Sequence, residues 1–196
     1  MRDLTGPLSG GATVWFTGLP SAGKTTLAQG LAKRLAAEGF ERVEVLDGDV
    51  AREHLTKGLG FSREDRTENV RRIGWVASLL ARNGVIVLAS VISPYRGVRD
   101  EVRALHEGRF VEVYVATPVE VCSARDVKGL YAQQRAGTLT GLTGVDDPYE
   151  APLDPEITVH TKDQTIEESV DQLWQALSPA LQPALQPTRR PAGQGT

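Results

Sequence analysis

The chain has 196 residues, of which 40% are hydrophobic and 24% are charged, and its formal net charge is −3. This length fits one domain with a single core. The charge balance lacks the basic excess of a nucleic-acid-binding protein, so we expect small-molecule partners and no nucleic acid. The single cysteine, Cys122, cannot form an internal disulfide, which favours a cytoplasmic protein.

The two ends of the chain differ in composition from its middle. Residues 1–12 contain no apolar run of the kind found in signal peptides, and we interpret them as a lead into a domain at 13–177. The longest apolar stretch, 84–92, is too short to span a bilayer, so we expect no membrane association. Residues 178–196 are rich in Pro, Ala, Gln and Gly, which predicts a disordered tail.

Short β-branched or apolar runs alternate with segments of helical periodicity along the domain. In chain order the predicted elements are strand 13–17, helix 25–38, strand 43–46, helix 62–83, strand 85–92, helix 98–106, strand 110–115, helix 118–125, strand 157–160 and helix 166–177. Strand 85–92 is almost continuously apolar, which is typical of a strand buried on both faces, so we expect it to be central. The alternation predicts a doubly wound α/β fold: a parallel sheet with helices on both faces, whose ligands bind at the carboxyl ends of the strands.

Residues 18–25, Gly-Leu-Pro-Ser-Ala-Gly-Lys-Thr, match the phosphate-loop motif G-x-x-x-x-G-K-[ST] between a predicted strand and a predicted helix. In this motif backbone N–H groups surround a phosphate, the lysine reaches the β- and γ-phosphates, and the hydroxyl binds Mg²⁺. Here these parts are Gly18, Gly23, Lys24 and Thr25. The motif therefore predicts a P-loop NTPase-like protein that binds a nucleoside triphosphate with Mg²⁺.

Phosphate loops occur in GTPases, ATPases and small-molecule kinases, so other residues must identify the reaction. Thr161-Lys-Asp-Gln164 is not the Asn-Lys-x-Asp guanine motif of a GTPase, and strand 85–92 is followed by Ser93-Pro94 instead of a Walker-type acid. Small-molecule kinases place an acid after the second strand, where this chain has Asp47-Gly48-Asp49. These carboxylates could orient Mg²⁺, accept a hydroxyl proton or form a tight turn.

Residues 126–156, which we call the lid segment, are rich in Gly, Pro and charge and are longer than an ordinary connection. Such a segment is either disordered or a lid over a site. The cations Arg125, Lys128 and Arg135 favour a lid, because a phosphate site needs positive charge above it.

Further motifs, in addition to the phosphate loop, occur in a fixed order along 13–177. They are Leu46-Asp-Gly-Asp49, Gly60-Phe-Ser62, Asp65-Arg66, Glu68-Asn-Val-Arg-Arg-Ile73, Ile92-Ser-Pro-Tyr-Arg96, Arg125-Asp-Val-Lys-Gly-Leu-Tyr131, Arg135-Ala-Gly137 and Pro148-Tyr-Glu-Ala-Pro152. In sequence and spacing they closely resemble the adenylylsulfate kinase family. That family transfers the γ-phosphoryl group of ATP to the 3′-hydroxyl of adenosine 5′-phosphosulfate (APS), giving 3′-phosphoadenylylsulfate (PAPS) and ADP.

The resemblance implies a role for each matching position. It implies that Asp49 orients or deprotonates the 3′-hydroxyl, with Asp47 and Lys24 completing the catalytic set, and that Thr25 contacts Mg²⁺. ATP would bind at Gly18, Ser21, Ala22, Gly23, Lys24, Thr25, Thr26 and, on its adenine side, Arg125. APS would bind at Asp49, Arg52, Phe61, Arg66, Asn69, Ile92, Ser93, Lys128, Gly141 and Leu142.

One position departs from the family. Where the family has Gly-Phe-Thr-Gly, with the phenylalanine stacked on the acceptor adenine, residues 141–144 read Gly-Leu-Thr-Gly. Leu142 could cover an adenine ring but cannot stack as an aromatic ring does, so we expect APS binding weaker by up to about 1 kcal/mol.

Two other functions stay open at this point. The altered position 142 is compatible with a kinase of the same scaffold that acts on another nucleotide or small hydroxyl compound. A catalytically silent nucleotide-binding module is the second alternative, and the intact Lys24, Thr25, Asp47 and Asp49 argue against it. Members of the family commonly form homodimers and are often fused to an ATP sulfurylase, so we expect a homodimer and, since no second domain fits in this chain, a separate sulfurylase.

Overall fold

The computed structural model describes residues 10–181, which form a parallel sheet between two layers of helices. The elements are β1 (Ala12–Thr17), α1 (Lys24–Ala37), β2 (Val43–Asp47), α2 (Gly48–Glu53), α3 (Arg63–Arg82), β3 (Ile86–Ser90), α4 (Arg96–Ala104), β4 (Phe110–Val115), α5 (Val119–Arg125), α6 (Leu130–Arg135), β5 (Ile157–Val159) and α7 (Ile166–Leu181). The strand order is β2-β3-β1-β4-β5 and every pairing is parallel. The predicted doubly wound sheet is confirmed.

The side chains of β1 alternate between two hydrophobic cores, one on each face of the sheet. Val14 and Phe16 belong to the larger core, which also includes side chains of α1 and α7. Trp15 faces the opposite way and packs with side chains of α3 and α4. Strand β3 is an interior strand between β2 and β1, as its apolar sequence predicts, although the middle strand of the sheet is β1.

Two short helices were not predicted. Helix α2 begins directly after β2, where the sequence indicated only an acidic turn. The Asp47 carboxylate caps this helix, because it accepts a hydrogen bond from the backbone N–H of Asp49 at 2.8 Å. Helix α6 lies inside the lid segment, where the Asp126 carboxylate accepts hydrogen bonds from the N–H groups of Tyr131 and Ala132.

The C-terminal helix is longer than predicted. Helix α7 continues through Pro179 to Leu181, so residues 178–181 of the predicted tail are helical, and Ala180 and Leu181 are buried in the larger core. Residues 1–9 and 182–196, which hold most of the predicted lead and tail, lie outside the described residues. Within 10–181 no helix is both long and apolar enough to cross a membrane.

Candidate active site

The phosphate loop connects the carboxyl end of β1 to the first turn of α1 at the middle of the sheet. Gly18 and Gly23 have φ values of 152° and 106°, and Ser21 between them also has a positive φ of 60°. A side chain at Gly18 would place its Cβ 2.7 Å from the carbonyl oxygen of Val115, so only glycine fits there. Turns of this kind, at a helix N-terminus, form an anion-binding concavity from successive N–H groups.

Lys24 lies across the loop and is buried. Its Nζ donates to the carbonyl oxygens of Gly18 at 3.1 Å and Leu19 at 2.8 Å. Removal of the ammonium from water lowers the pKa of Lys24 to about 8. The loop therefore holds a cation next to the anion-binding concavity, as the motif predicts. The next two residues, Thr25 and the exposed Thr26, continue the first turn of α1.

A group of oxygen donors lies beside Lys24. Thr25 Oγ1 donates to Asp47 Oδ2 at 2.7 Å and lies 3.0 Å from Ser90 Oγ. Asp47 and Ser90 are neighbours across β2 and β3 at their carboxyl ends. Mg²⁺ is held in such sites by one or two protein oxygens together with substrate phosphates, so Thr25, Asp47 and Ser90 fit this metal. Ser90 was missed, because a lone serine at a strand end carries no spacing signal.

In the part of the chain that the structure describes, no carboxylate-rich cluster competes with this group as a metal site. Among residues 10–181 no three His, Cys, Asp or Glu side chains come together in a way that could hold a metal ion. A metal at Thr25 and Asp47 would therefore depend on nucleotide phosphates for its remaining ligands.

Asp49 and Lys128, which are far apart in the sequence, meet at this edge of the sheet. Asp49 lies in the first turn of α2, and its Oδ2 forms an ion pair with Lys128 Nζ of the lid segment. Both side chains remain more than half exposed. The predicted base, Asp49, and the predicted lid cation, Lys128, are therefore in direct contact.

Phe61 is presented to solvent beneath an arginine. Its side chain is 67% exposed, which excludes a role in the core. The guanidinium of Arg52 lies 4.4 Å from the ring centroid and donates to the carbonyl oxygens of Leu59 and Gly60. Two effects lower the pKa of Arg52. The larger is partial burial, and the second is the nearby positive charge of Arg66. An exposed, supported ring of this kind can stack on a base.

Arg66 on α3 is bound to the lid segment. Its Nη1 donates to Thr143 Oγ1 and its Nη2 to the carbonyl oxygen of Gly141, both at 2.6 Å, while Nε donates to the carbonyl oxygen of Phe61 at 2.8 Å. Arg66 therefore positions Phe61 and Gly141, two predicted acceptor residues, relative to each other. Nearby Asn69 is buried, and its Oδ1 accepts a hydrogen bond from Thr56.

Ser93 does not present its side chain to the site. It follows β3 with a φ of 43°, which turns the side chain into the core. Its hydroxyl accepts from Trp15 Nε1 and donates to Thr17 Oγ1, both at 3.0 Å. The hydroxyl is therefore engaged within the protein, and APS binding at Ser93 stays a prediction. The preceding Ile92 is half-buried, and its carbonyl oxygen accepts from Thr17 Oγ1 at 2.8 Å.

Leu142 also differs from the expectation. Its side chain is only 5% exposed and belongs to the larger hydrophobic core, so it is not available on the surface to cover a ring. The physical reason is the local turn, in which the Asp146 carboxylate accepts hydrogen bonds from the N–H groups of Gly141 and Leu142. The aliphatic side chain then packs inward.

The rear of the phosphate loop is supported by the predicted Arg125 and by two threonines that the sequence pattern missed. The carbonyl oxygen of Ala22 accepts from Thr117 at 2.9 Å, from Thr161 at 3.2 Å and from Arg125 Nη1 at 3.3 Å. Arg125 also donates to the carbonyl oxygen of Thr161 at 2.6 Å. The lone threonines follow β4 and β5 and match no motif, and they place Arg125 beside the ATP half of the site.

Most of this chain is similar to known proteins. Residues 10–160 match the sequence profile of the family described as "Adenylylsulphate kinase". An adenylyl-sulfate kinase of Synechococcus sp. (strain JA-2-3B'a(2-13)) is 60% identical over 82% of this chain and 91% of its own.

Solved structures also match this chain. The APS kinase of Mycobacterium tuberculosis, solved in complex with AMPPNP and APS, is 42% identical, with a TM-score of 0.82 over 87% of this chain and 99% of its own. A hexameric APS kinase from Thiobacillus denitrificans is 39% identical, with a TM-score of 0.68 over 91% of this chain and 30% of its own. With its phosphate loop, its acidic residues after β2 and these matches, the chain belongs to the adenylylsulphate kinase family.

Proposed function

We propose that this protein is an adenylyl-sulfate kinase, which transfers the γ-phosphoryl group of ATP to the 3′-hydroxyl of APS and releases PAPS and ADP. The observation that carries this proposal is the meeting of two half-sites at one edge of the sheet. Lys24 and Thr25 belong to the ATP half, and Asp49, joined to Lys128, belongs to the acceptor half.

In the ATP half, the loop N–H groups and the Lys24 ammonium bind the β- and γ-phosphates. Thr25, Asp47 and Ser90 would hold Mg²⁺, which would supply neutralisation of phosphate charge. Arg125, held by Thr161, lies on the adenine side. These groups orient the γ-phosphoryl group toward the acceptor, and orientation with charge neutralisation supplies most of the rate in phosphoryl transfer.

In the acceptor half, Asp49 accepts the proton of the 3′-hydroxyl as that oxygen bonds to the γ-phosphorus, while the bond from the phosphorus to the ADP oxygen breaks. Asp49 suits this task because its carboxylate is exposed and lies in the first turn of α2, beside the ATP half. Lys128 would exchange its contact with Asp49 for the anionic phosphosulfate when APS binds, which frees the carboxylate.

The remaining acceptor groups recognise the rest of APS. The exposed Phe61 ring stacks on adenine, and Arg52 beside it neutralises the phosphosulfate. Arg66 acts mainly by fixing the surrounding backbone, since its guanidinium already has protein partners, and Asn69, whose Oδ1 accepts from Thr56, supports the same pocket. The lid segment closes over both nucleotides through Lys128, Arg66 and α6, whose Tyr131 hydroxyl donates to the carbonyl oxygen of Pro20.

A coupled assay of ADP release with ATP, Mg²⁺ and APS tests the proposal. We expect turnover that requires APS, and slower or no turnover with AMP or simple polyols. Faster turnover of a non-sulfated acceptor would instead favour another kinase of the same scaffold. Binding of ATP without turnover of any acceptor would favour a silent nucleotide-binding module.

We also propose that the enzyme is a cytoplasmic homodimer that receives APS from a separate ATP sulfurylase. The unpaired, buried Cys122 supports a reducing compartment. Because one structural relative is described as hexameric, light scattering during size-exclusion chromatography is the direct test of the dimer. Co-purification with a sulfurylase tests the partner.

A further inference from the structure

Arg99 on α4 joins three segments of the chain from a fully buried position. Its side chain is 2% exposed. Its Nε donates to Glu112 Oε1 of β4 at 2.8 Å, its Nη1 to the carbonyl oxygen of Ser93 at 2.6 Å and its Nη2 to the carbonyl oxygen of Glu150 at 2.6 Å. One guanidinium therefore fixes the loop between β3 and α4 against the end of the lid segment.

The charge of Arg99 is balanced within the protein. Glu112 also accepts from Arg103, and Arg103 donates to both carboxylate oxygens of Glu156, at 2.6 and 2.9 Å. The network thus pairs two arginines with two glutamates, and substrate is not needed for its neutrality. Since a buried ion network of this kind adds little net stability over apolar packing, its geometry points to a different role.

Further hydrogen bonds join the same two segments. The N–H of Glu150 donates to the carbonyl oxygen of Pro94, and the Glu150 carboxylate accepts from the N–H of Arg96, both at 2.8 Å. The Tyr149 hydroxyl lies 3.0 Å from Thr17 Oγ1, which in turn donates to the carbonyl oxygen of Ile92. The predicted acceptor residues at 92–93 and the end of the lid segment are therefore one connected unit with Arg99 at its centre.

We infer that Arg99 is a positioning residue for the acceptor half of the site. It holds the backbone at 92–93 and the end of the lid segment in the arrangement that accepts APS, and it acts only through these segments. The inference rests on the proposed function. It requires that loss of the Arg99 contacts raises the KM for APS and leaves the KM for ATP unchanged. The reason is that Arg99 donates to Glu112, Ser93 and Glu150, none of which belongs to the phosphate loop.

The test compares Arg99→Lys with Arg71→Lys, a control in which an arginine bound to Glu101 of the same helix, α4, is replaced without a contact to residues 92–93 or to the lid segment. Lysine keeps the positive charge but cannot donate to three separated acceptors in a fixed plane. In steady-state assays we expect Arg99→Lys to raise the KM for APS by about tenfold or more, with the KM for ATP unchanged, as the loss of charge-assisted hydrogen bonds predicts. Arg71→Lys is expected to change neither KM.

A charge-balanced double variant, Arg99→Gln with Glu112→Gln, keeps the test decisive if Arg99→Lys does not fold. It removes one positive and one negative charge and leaves Arg103 paired with Glu156. A raised APS KM in this variant supports positioning by Arg99. An unchanged APS KM, or equal rises for APS and ATP, would overturn it and leave only a structural role. Absence of APS-dependent turnover in the unmodified protein would instead overturn the proposed function.

Discussion

Lys128 of the lid segment forms an ion pair with Asp49 of α2 across the carboxyl edge of the sheet. The pair joins the lid segment to the acid beside the phosphate loop, so the proposed base is in contact with the cation that we propose binds APS. Because both side chains are largely exposed, the pair itself contributes little to stability. We propose that its role is instead to exchange partners when APS binds.

Replacement of Asp49 by Asn is expected to stop transfer while ATP still binds. The amide has nearly the same shape but cannot accept the hydroxyl proton, so we expect kcat to fall by about 10²- to 10⁴-fold. ADP release measures the loss, and calorimetric titration with a non-hydrolysable ATP analogue tests binding. Retained turnover would remove Asp49 from the role of base.

Replacement of Lys128 by Met is expected to raise the KM for APS by about tenfold, because a charged hydrogen bond to the phosphosulfate is lost. The KM for ATP should change little. Lys33→Met, which removes an exposed lysine from the surface of α1, is the matched control. A lower APS KM in Lys128→Met would mean that the ion pair with Asp49 competes with the substrate and does not prepare for it.

The pH dependence of ATP use follows from the buried Lys24. Its pKa of about 8 means that the ammonium, the form that binds phosphate, prevails below pH 8 and is lost above it. Since kcat/KM reports the free enzyme, we expect kcat/KM for ATP to be level below pH 8 and to fall as the pH rises through that value.

A pH series of initial rates at limiting ATP and saturating APS measures this effect. Lys24→Arg provides the control, because a guanidinium stays protonated throughout the range, so its residual activity should lack the alkaline fall. A level profile for the unmodified enzyme up to pH 9.5 would contradict the assignment.

Arg66 is expected to keep the lid segment ordered near α3. Arg66→Lys removes the paired donors to Gly141 and Thr143, so the amide hydrogens of 141–147 should exchange with solvent about tenfold faster or more. Arg72→Lys is the control, since Arg72 pairs with Glu68 of its own helix and not with the lid segment. Equal exchange in both variants would show that Arg66 does not order this segment.

The order of strands and helices could be predicted because the hydrophobic periods of this chain are regular. Residues 13–17 and 43–46 anticipated β1 and β2 to within one residue at each end. Helices α2 and α6 escaped prediction because side-chain capping by Asp47 and Asp126, and not an apolar stripe, begins them. Such caps resemble ordinary turn chemistry in the sequence.

The motif residues of the candidate site could be recognised in the sequence, but the side chains that hold the phosphate loop in place could not. Lys24 and Thr25 occupy the places that their motif assigns. Ser90, Thr117 and Thr161 are single polar residues at strand ends, and only the sheet order brings them to the phosphate loop. The inward turn of Leu142 depends on a hydrogen-bonded loop for which the sequence has no repeating signal.

Leu142→Phe distinguishes between the result that the sequence predicts and the result that the structure predicts. The family pattern predicts a lower KM for APS, because an aromatic ring would stack on adenine. The buried position of Leu142 predicts overpacking instead, which lowers the free energy of unfolding by about 1–3 kcal/mol. Urea denaturation of the free protein measures this loss.

Leu153→Phe in the same segment is the control for the added ring, because that side chain is 83% exposed and should change stability by less than about 0.5 kcal/mol. Measuring the APS KM of both variants completes the comparison. A lower KM for Leu142→Phe with unchanged stability would mean that residue 142 leaves the core when APS binds, so that the lid segment rearranges around the substrate. A loss of stability without improved APS use would establish Leu142 as a core residue whose aliphatic side chain the surrounding turn requires.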